Sequence, residues 1–219
     1  MRIHLTTTPN TSPVGFNYQQ KLVGTIHKWL GQNTIHDEIS LYSFSWLNGG
    51  KLINNSLSFP EGASMFISFH DSDIAKTIAR SIICDPDMFC GMKVTSITIQ
   101  EAPTNLNREV FACASPIFIK RKIADGTEKH FTFNDPEAAT LLKETLLSKM
   151  QKAGMEDPTF EICFDTSYTK KKLKLVRYRN IGNKANICPI IIKGKPETKL
   201  FAWNVGVGNN TGIGFGAIY

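Results

Sequence analysis

Several features that define common protein classes are missing from this sequence. No apolar run approaches the roughly 20 residues that a membrane-spanning helix needs, and the first ten residues, MRIHLTTTPN, lack the apolar core of a signal peptide. Cysteine is scarce: the five cysteines are widely spread, and none forms a CxxC pair or has the Cys/His spacing of a zinc site. We therefore expect a cytoplasmic protein with free, buried thiols, no structural zinc and no cofactor.

The sequence also lacks the usual nucleotide-binding loops, although glycine is concentrated near its end. The stretch GVGNNTGIGFG (206–216) holds five glycines in eleven residues. A dinucleotide fingerprint needs a helix after its glycines and an acidic residue about 20 positions further on, but only three residues follow here. A P-loop needs Gly-Lys-Ser/Thr, which is absent. Nucleotide binding at this stretch is therefore excluded, and a plain β-turn is one alternative.

The composition of the sequence indicates a folded, basic protein. Hydrophobic residues make up 42% of the 219 residues, enough for a packed core in one large domain or two small ones. The net charge is +6 and the isoelectric point is near 9.0. A modest excess of positive charge favours a polyanionic partner, and its position in the chain carries more information than its size.

The first half switches between the period of strands and the period of helices. An apolar stripe at 22–30 has helical spacing and ends at Gly31, and Asp71 or Ser72 can cap a second helix that runs to about residue 84. Strand character is found at 2–8, 40–47, 51–59, 64–69 and 93–100, with a turn at 48–50. This order of elements predicts a ferredoxin-like domain over residues 1–104.

Residues 105–219 have a similar order of elements with more strands, although the halves share no sequence repeat. Strand-like VFACASPIFIKRK breaks at Pro116, and Asn134 or Asp135 can cap a helix that runs to about Gln151. Further strands are predicted at about 158–165, 172–179, 187–193, 199–205 and 215–219. The fold class is thus α+β: two tandem ferredoxin-like (RRM-like) domains, 1–104 and 105–219, the second more β-rich and ending in a glycine-rich loop.

The spacing of the terminal glycines resembles a known family. Gly206-x-Gly208, five residues and then Gly214-Phe215-Gly216 is similar to the glycine-rich loop of the RAMP superfamily. The resemblance extends over nearly the whole chain, and within the superfamily it is strongest to the Cas6 family of CRISPR-associated endoribonucleases. The stretches that carry it are VGTIHKWLG, IHDEISLYSFSWLNGGKL, NSLSFPEG and SPIFIKR. Relatives often hold a lysine or other polar side chains in the loop, where this chain has Asn209, Asn210 and Thr211.

The resemblance implies a metal-independent endoribonuclease that cuts precursor CRISPR RNA within its repeats. The 2′-OH attacks its own phosphate, which leaves a 5′-OH and a 2′,3′-cyclic phosphate. The implied partner is the repeat RNA, with other CRISPR effector or adaptation proteins as further candidates and a monomer or homodimer as the working form. Two alternatives remain: a non-cleaving RAMP subunit that binds CRISPR RNA, and an interaction module whose basic surface binds an acidic protein.

Two histidines are the candidate catalytic residues, because histidine exchanges protons near neutral pH. His36 matches the position after the first helix where many relatives keep a catalytic histidine, and His27 falls where they carry an active-site tyrosine or histidine. On the residues alone, His27 could instead seal the core and His36 could be a solvated loop residue. A lysine of relatives falls near Ser40, so Lys28 or Lys51 is expected to supply its positive charge.

Other polar residues near this segment have simpler interpretations. Tyr42 could orient a phosphate, or it could be a packed strand aromatic. Asp37 and Glu38 are adjacent, but no third ligand is spaced to join them, so we expect no metal site. The remaining histidines, at positions 4, 70 and 130, are expected to be structural or on the surface.

The densest positive charge predicts where RNA binds. The stretch KKKLKLVRYR (170–179) has six cations in ten residues, and its imperfect alternation requires a bulge or an exposed ribbon. A solvated charged hairpin is the common alternative. A second patch follows SPIFI, and the glycines of the loop could approach a phosphate backbone closely. The predicted RNA-binding residues are Lys120, Arg121, Lys122, Lys170, Lys172, Lys174, Arg177, Arg179, Gly206, Gly208, Gly214 and Gly216.

Overall fold

The computed structural model describes residues 1–31 and 40–219. Its first sheet contains β1 (Arg2–Thr7), β2 (Tyr42–Phe44), β5 (Ser64–Phe69) and β6 (Val94–Gln100) in the antiparallel order β2-β5-β1-β6. Helices α1 (Gln19–Leu30) and α2 (Ser72–Cys84) contact each other and share one core with this sheet. This is the ferredoxin-like order that the sequence predicts for the first half.

The second half has the same plan in shortened form. Strands β7 (Val110–Phe111), β10 (Glu161–Phe164) and β13 (Ile190–Lys193) form a sheet in the order β10-β13-β7. The C-terminus pairs with the free side of this sheet, because Ala112 and Tyr219 exchange two backbone hydrogen bonds of 3.0 Å. Helices α3 (Ala138–Lys152) and α4 (Pro196–Val205) complete a second ferredoxin-like unit.

Three hairpins extend from these units: β3 (Lys51–Ile53) with β4 (Ser56–Ser58), β8 (Lys120–Lys122) with β9 (Glu128–His130), and β11 (Lys172–Tyr178) with β12 (Ile181–Ile187). In each half one hairpin lies between the second and third strands of the sheet: β3–β4 follows β2, and β11–β12 follows β10. The β8–β9 hairpin precedes α3 instead. The additional strands of the second half are therefore hairpin insertions.

Local signals at helix ends and turns are mostly confirmed. The carboxylate of Asp71 caps α2 by accepting hydrogen bonds from the N–H groups of Asp73 and Ile74 at 2.8 and 3.4 Å. Gly31 ends α1 with a positive φ of 70°. Asp135 does not cap α3, which begins at Ala138; its carboxylate instead accepts the N–H of Thr132 at 2.7 Å.

Two strand predictions are wrong, and one strand was missed. Residues 199–205 belong to α4, because this short apolar segment is buried on most sides and leaves no polar stripe to mark a helical period. Residues 51–59 form a hairpin rather than one strand, since Asn54 and Asn55 adopt left-handed φ values of 46° and 58°. The partner strand β12 was not predicted, because its polar residues NKAN obscure the alternation.

The halves have separate cores joined by a buried guanidinium. One cluster of buried side chains draws on residues 3–92 and another on residues 111–218. Arg2, 2% exposed, donates from Nη2 to the carbonyls of Trp203 (2.9 Å) and Ile218 (2.7 Å). Its guanidinium carbon lies 3.7 Å from the ring centre of Phe66 and 3.6 Å from that of Trp203. Arg2 thus connects the first strand to the end of the chain.

No helix within residues 1–31 and 40–219 is long and apolar enough to cross a membrane.

Replacing Arg2 tests this connection. Arg2→Met should lower the free energy of unfolding by about 3–5 kcal/mol, because two buried carbonyls lose a charged donor. Arg80→Met is the matched control: Arg80 is exposed on α2, so its change should stay within about 0.5 kcal/mol. Urea denaturation measures both values. Equal stability of the two variants would contradict the role of Arg2.

Candidate RNA-processing site

The glycine-rich loop, residues 206–216, is bound to the first half through its backbone carbonyls. It follows α4 and contains one turn of 3-10 helix at Thr211–Ile213. The Tyr42 hydroxyl donates to the carbonyl of Gly212 at 3.0 Å, and the Trp46 indole N–H donates to that of Gly214 at 3.0 Å. The Gln19 side-chain amide donates to the carbonyl of Ile213 at 2.5 Å. The loop therefore lies against α1 and β2.

The second half holds the same loop from the other side. The N–H of Asn209 donates to the carbonyl of Phe118 at 2.7 Å, and the side-chain oxygen of Asn209 accepts the N–H of Lys120 at 2.9 Å. The N–H of Gly216 donates to the carbonyl of Pro116 at 2.9 Å. The loop is a structured element between the halves and not a free turn.

Close backbone approach explains the glycines at two positions in particular. A Cβ on Gly216 would lie 1.9 Å from the carbonyl oxygen of Val207, and one on Gly208 would lie 2.5 Å from that of Phe118. Both glycines also have positive φ values, 68° and 74°. The structure thus gives these glycines a packing role, and the RNA contacts predicted for Gly206, Gly208, Gly214 and Gly216 stay predictions.

A polar cavity of about 720 Å³ lies between this loop and α3. Ser40, which directly follows the segment holding His36, forms part of its wall. The remaining lining comes from β8, α3 and the loop: Arg121, Glu144, Thr145, Ser148, Lys149, Gly208, Asn209, Asn210 and Thr211. The cavity has the size of a ligand site, and the residues that line it are polar, charged or glycine.

The wall contains a buried lysine that the sequence analysis missed. Lys149 on α3 is 3% exposed, and its Nζ donates to the carbonyls of Val205 and Gly206, both at 3.2 Å, and to the Thr211 hydroxyl at 3.0 Å. Burial lowers the pKa of this ammonium to about 7. A signal existed: Lys149 continues the apolar helical stripe of Leu142 and Leu146, where a charged residue is unusual.

The second basic patch consists of residues 120–122, and two of its three cations already contact groups of this protein. The Arg121 guanidinium donates to the carbonyl of Leu141 at 3.2 Å and contacts the Glu144 carboxylate at 3.3 Å. Lys120 pairs with Glu128 at 2.8 Å. Lys122 is exposed at the end of β8. Arg121 therefore joins β8 to α3 at the cavity wall, a role that the patch alone did not predict.

Of the two predicted catalytic histidines, only His27 lies within the described residues. His36 lies outside the described residues, as do Asp37 and Glu38. His27 is half-buried in the last turn of α1, where its carbonyl accepts the N–H of Gly31 at 3.0 Å. It is not among the described residues that line the cavity. Its pairing with His36 stays a prediction.

The predicted supporting residues fall into two groups. Ser40 lines the cavity and Tyr42 binds the loop that forms its wall, so both lie at the site. Lys28 instead pairs with Asp85 at 2.9 Å, and Lys51 lies in β3 with Glu61 at 3.8 Å. Neither lysine lines this cavity, and their role at the phosphate stays a prediction.

The other three histidines have structural contacts. The Nε2 of His4 lies 2.9 Å from the side-chain oxygen of Gln100 on the adjacent strand. His70 and His130 pack edge-on against Phe201 and Phe118, with ring centres 4.9 Å apart in each pair. Across residues 1–31 and 40–219, no group of three or more His, Cys, Asp or Glu side chains is arranged to hold a metal ion.

The basic ribbon, residues 170–187, is an exposed two-stranded hairpin. Its register is continuous from Lys172 opposite Ile187 to Tyr178 opposite Ile181, so no bulge is needed to explain the imperfect alternation. Val176 is its buried anchor and packs with Phe118 and Phe215, at 0% exposure each. Because the ribbon projects from the sheets, cations on both of its faces can reach solvent.

The ribbon carries uncompensated positive charge. Within the described ranges, no carboxylate lies within 4.0 Å of its predicted RNA-binding cations, Lys170, Lys172, Lys174, Arg177 and Arg179. The Nζ of Lys174 lies 4.5 Å from the ring centre of Trp46, and burial beside that first-half aromatic lowers its pKa. The ribbon therefore adjoins both halves.

Known structures share this architecture. One described as "CRISPR associated protein Cas6" is 19% identical, with a TM-score of 0.84 over 100% of this chain and 98% of that chain. A Cas6-related protein from Pyrococcus furiosus is 22% identical, with a TM-score of 0.82 over 100% and 97%. One described as a RAMP protein binding different RNA substrates is 21% identical, with a TM-score of 0.84 over 100% and 98%. At these identities the likeness shows the fold alone, two tandem ferredoxin-like units.

The family follows from a separate comparison. The family model described as "CRISPR associated protein Cas6, C-terminal" matches residues 99–219, more than half of the chain. The chain therefore belongs to the Cas6 family. A comparison with curated proteins found no match.

The packing of the loop glycines can be tested by adding one carbon atom. Gly216→Ala should destabilise the protein by about 1–3 kcal/mol more than Gly126→Ala, because only the first Cβ meets a backbone oxygen. Gly126 is the matched control: its φ is +82°, so left-handed strain is similar, but nothing lies within 4 Å of its added Cβ. Thermal unfolding compares them. Equal destabilisation would show that conformational strain alone explains Gly216.

Proposed function

We propose that this protein is a metal-independent endoribonuclease that binds CRISPR repeat RNA and cleaves it within the precursor transcript. Membership in the Cas6 family is the observation that carries this proposal. The working form is a cytoplasmic monomer or homodimer of two domains, 1–104 and 105–219, with other CRISPR effector or adaptation proteins as further partners.

The proposed reaction needs only proton transfer and charge stabilisation. A base removes the proton of the 2′-OH, the 2′ oxygen forms a bond to its adjacent phosphorus, and the bond from phosphorus to the 5′ oxygen breaks. An acid donates a proton to that oxygen. The products are a 2′,3′-cyclic phosphate and a 5′-OH. His36 and His27 are the proposed acid and base, because imidazole supplies both roles near neutral pH.

The distribution of charge supports an RNA path across both halves. The basic ribbon offers cations that lack carboxylate partners within residues 1–31 and 40–219, and it touches the first half at Trp46. The cavity lies where the loop meets Ser40, and in the sequence Ser40 directly follows the segment that contains His36. We place the RNA backbone along the ribbon and the scissile phosphate near this cavity, with Lys122 as an additional surface contact.

A non-cleaving CRISPR RNA-binding subunit is the second candidate. The relative described as a RAMP protein binding different RNA substrates has the same fold over its whole length. A lysine that is common in relatives falls near Ser40 in this chain, and serine cannot supply its positive charge. Cleavage of repeat RNA by the purified protein separates the two candidates, because both require RNA binding and only one requires chemistry.

The first test of the proposal removes His36. His36→Ala should slow single-turnover cleavage of repeat RNA by about 10²–10⁴-fold, the usual contribution of one positioned acid or base. Binding should stay within about tenfold of wild type, because phosphate contacts dominate affinity. His27→Ala should have a similar or smaller effect. His4→Ala is the control, since that imidazole contacts Gln100 in the first sheet.

Three outcomes would each contradict a different part of the mechanism. Loss of cleavage in EDTA would indicate a metal. Cleavage of a substrate with 2′-deoxyribose 5′ of the scissile phosphate would replace transesterification with hydrolysis. Full activity in the double variant of His27 and His36 would move the catalytic group elsewhere.

The second test removes charge from the basic ribbon. Changing Lys172, Arg177 and Arg179 to Ala should weaken repeat-RNA binding and reduce the slope of log affinity against log salt by about one for each phosphate that is no longer neutralised. Lys76→Ala with Lys93→Ala is the control, because these exposed lysines of the first half already pair with aspartates at 2.9 and 3.0 Å. Fluorescence anisotropy across a salt series gives both quantities. An unchanged slope would remove the ribbon from the RNA path.

A further inference from the structure

We propose that the cavity between α3 and the glycine-rich loop binds one phosphate group of the RNA backbone, and that the buried ammonium of Lys149 supplies its positive charge. The inference rests on the proposed function and adds a specific subsite to it. Arg121 is the one cation of this subsite that the sequence predicts to bind RNA.

The contacts of Lys149 leave its charge without a counter-ion in the described structure. Its three hydrogen-bond acceptors, two carbonyls and one hydroxyl, are neutral. The carboxylate that shares the cavity wall, Glu144, lies 3.3 Å from the guanidinium of Arg121. The positive charge of Lys149 is therefore opposed by partial dipoles only.

Burial of such a charge is costly unless something compensates it. The C-terminal end of α4 compensates in part, because the carbonyls of Val205 and Gly206 carry the negative end of the helix dipole. The remaining positive potential extends into the cavity that Lys149 lines. An anion in that cavity would complete the compensation without moving the lysine from its acceptors.

The rest of the lining suits a phosphate. The hydroxyl of Ser40 and the amide NH₂ of Asn209 are potential donors, and such groups commonly bind phosphate oxygens. The hydroxyls of Thr145 and Ser148 donate instead to the carbonyls of Leu141 and Glu144, at 2.7 and 2.9 Å. The side-chain oxygen of Asn209 accepts the N–H of Lys120, which identifies the other end of the amide as the NH₂ donor. In the sequence, Ser40 directly follows the segment that contains the proposed catalytic residue His36.

Charged groups close to Lys149 also affect its protonation when a phosphate binds. The ionisable group that shares the cavity wall on α3 is Glu144, and on β8 it is Arg121; the contacts from α4 and the loop come from groups that do not ionise. In the sequence, His36, Asp37 and Glu38 come shortly before Ser40, which lines this wall, so Asp37→Asn and Glu38→Gln belong among the variants.

Binding of a phosphate should therefore take up a proton. Free Lys149, with a pKa near 7, is largely neutral at pH 7.5. A nearby phosphate favours the charged form and raises that pKa. If the rise is about one unit, RNA binding at pH 7.5 takes up about half a proton, and affinity falls about fivefold from pH 7 to pH 9.

Calorimetry with an uncleavable repeat RNA, 2′-deoxy at the scissile position, measures this uptake in Tris and in HEPES. Wild type should take up about half a proton more than Lys149→Arg, whose guanidinium stays charged throughout. Lys149→Arg should bind with nearly pH-independent affinity between pH 7 and 9. Lys149→Met should bind more weakly than Lys149→Arg at pH 7 and should also lack the pH dependence. Asp37→Asn and Glu38→Gln should retain it.

A measurement on wild type alone covers the case in which the variants fail to fold. With ¹³C-labelled lysine, one side chain should titrate near pH 7 in the free protein and at a higher pH with the RNA bound. If no lysine signal moves and the wild-type uptake equals that of Lys149→Arg, the inference is overturned while the proposed function stands. If repeat RNA does not bind at all, both fall.

Discussion

Backbone carbonyl groups near the C-terminus are the acceptors on which the joint between the halves depends. Side chains of the first half, Arg2, Gln19, Tyr42, Ser43 and Trp46, all donate to carbonyls of residues 203–218. Every residue has a backbone carbonyl whatever its side chain, so these contacts constrain the backbone path of residues 203–218 and not the identity of their side chains. Glycines satisfy this constraint by letting two backbones approach within van der Waals contact.

The two halves also differ in how their positive charges are paired. Several first-half cations already have partners: Lys28, Lys76 and Lys93 each pair with an aspartate at 2.9–3.0 Å. The ribbon of the second half has no such pairs within the described residues. The positive charge is therefore unevenly distributed, and a polyanion approaching the protein meets the densest cluster of cations without carboxylate partners on the ribbon.

The sequence predicted the elements whose signals are local. Alternation in Arg2–Thr7, the stripe of α1 and the cap at Asp71 specify their structure within a few residues. Prediction failed where the environment decides, as in α4, which is buried on most sides, and at Lys149, whose contacts come from residues 56–62 positions away. The resemblance gave the family, but distant contacts that build the cavity leave no periodic trace in the chain.

The way the ribbon joins the second sheet has an evolutionary consequence. The N–H of Asp165 donates to the carbonyl of Pro189 at 2.8 Å, which closes the hairpin at its base just beyond β10 and β13. The exposed tip of the hairpin, beyond the buried anchor Val176, can lengthen, shorten or change composition while the sheet keeps its register. Selection can therefore exchange the surface that meets a new ligand as a module, and the domains that carry it need not be redesigned.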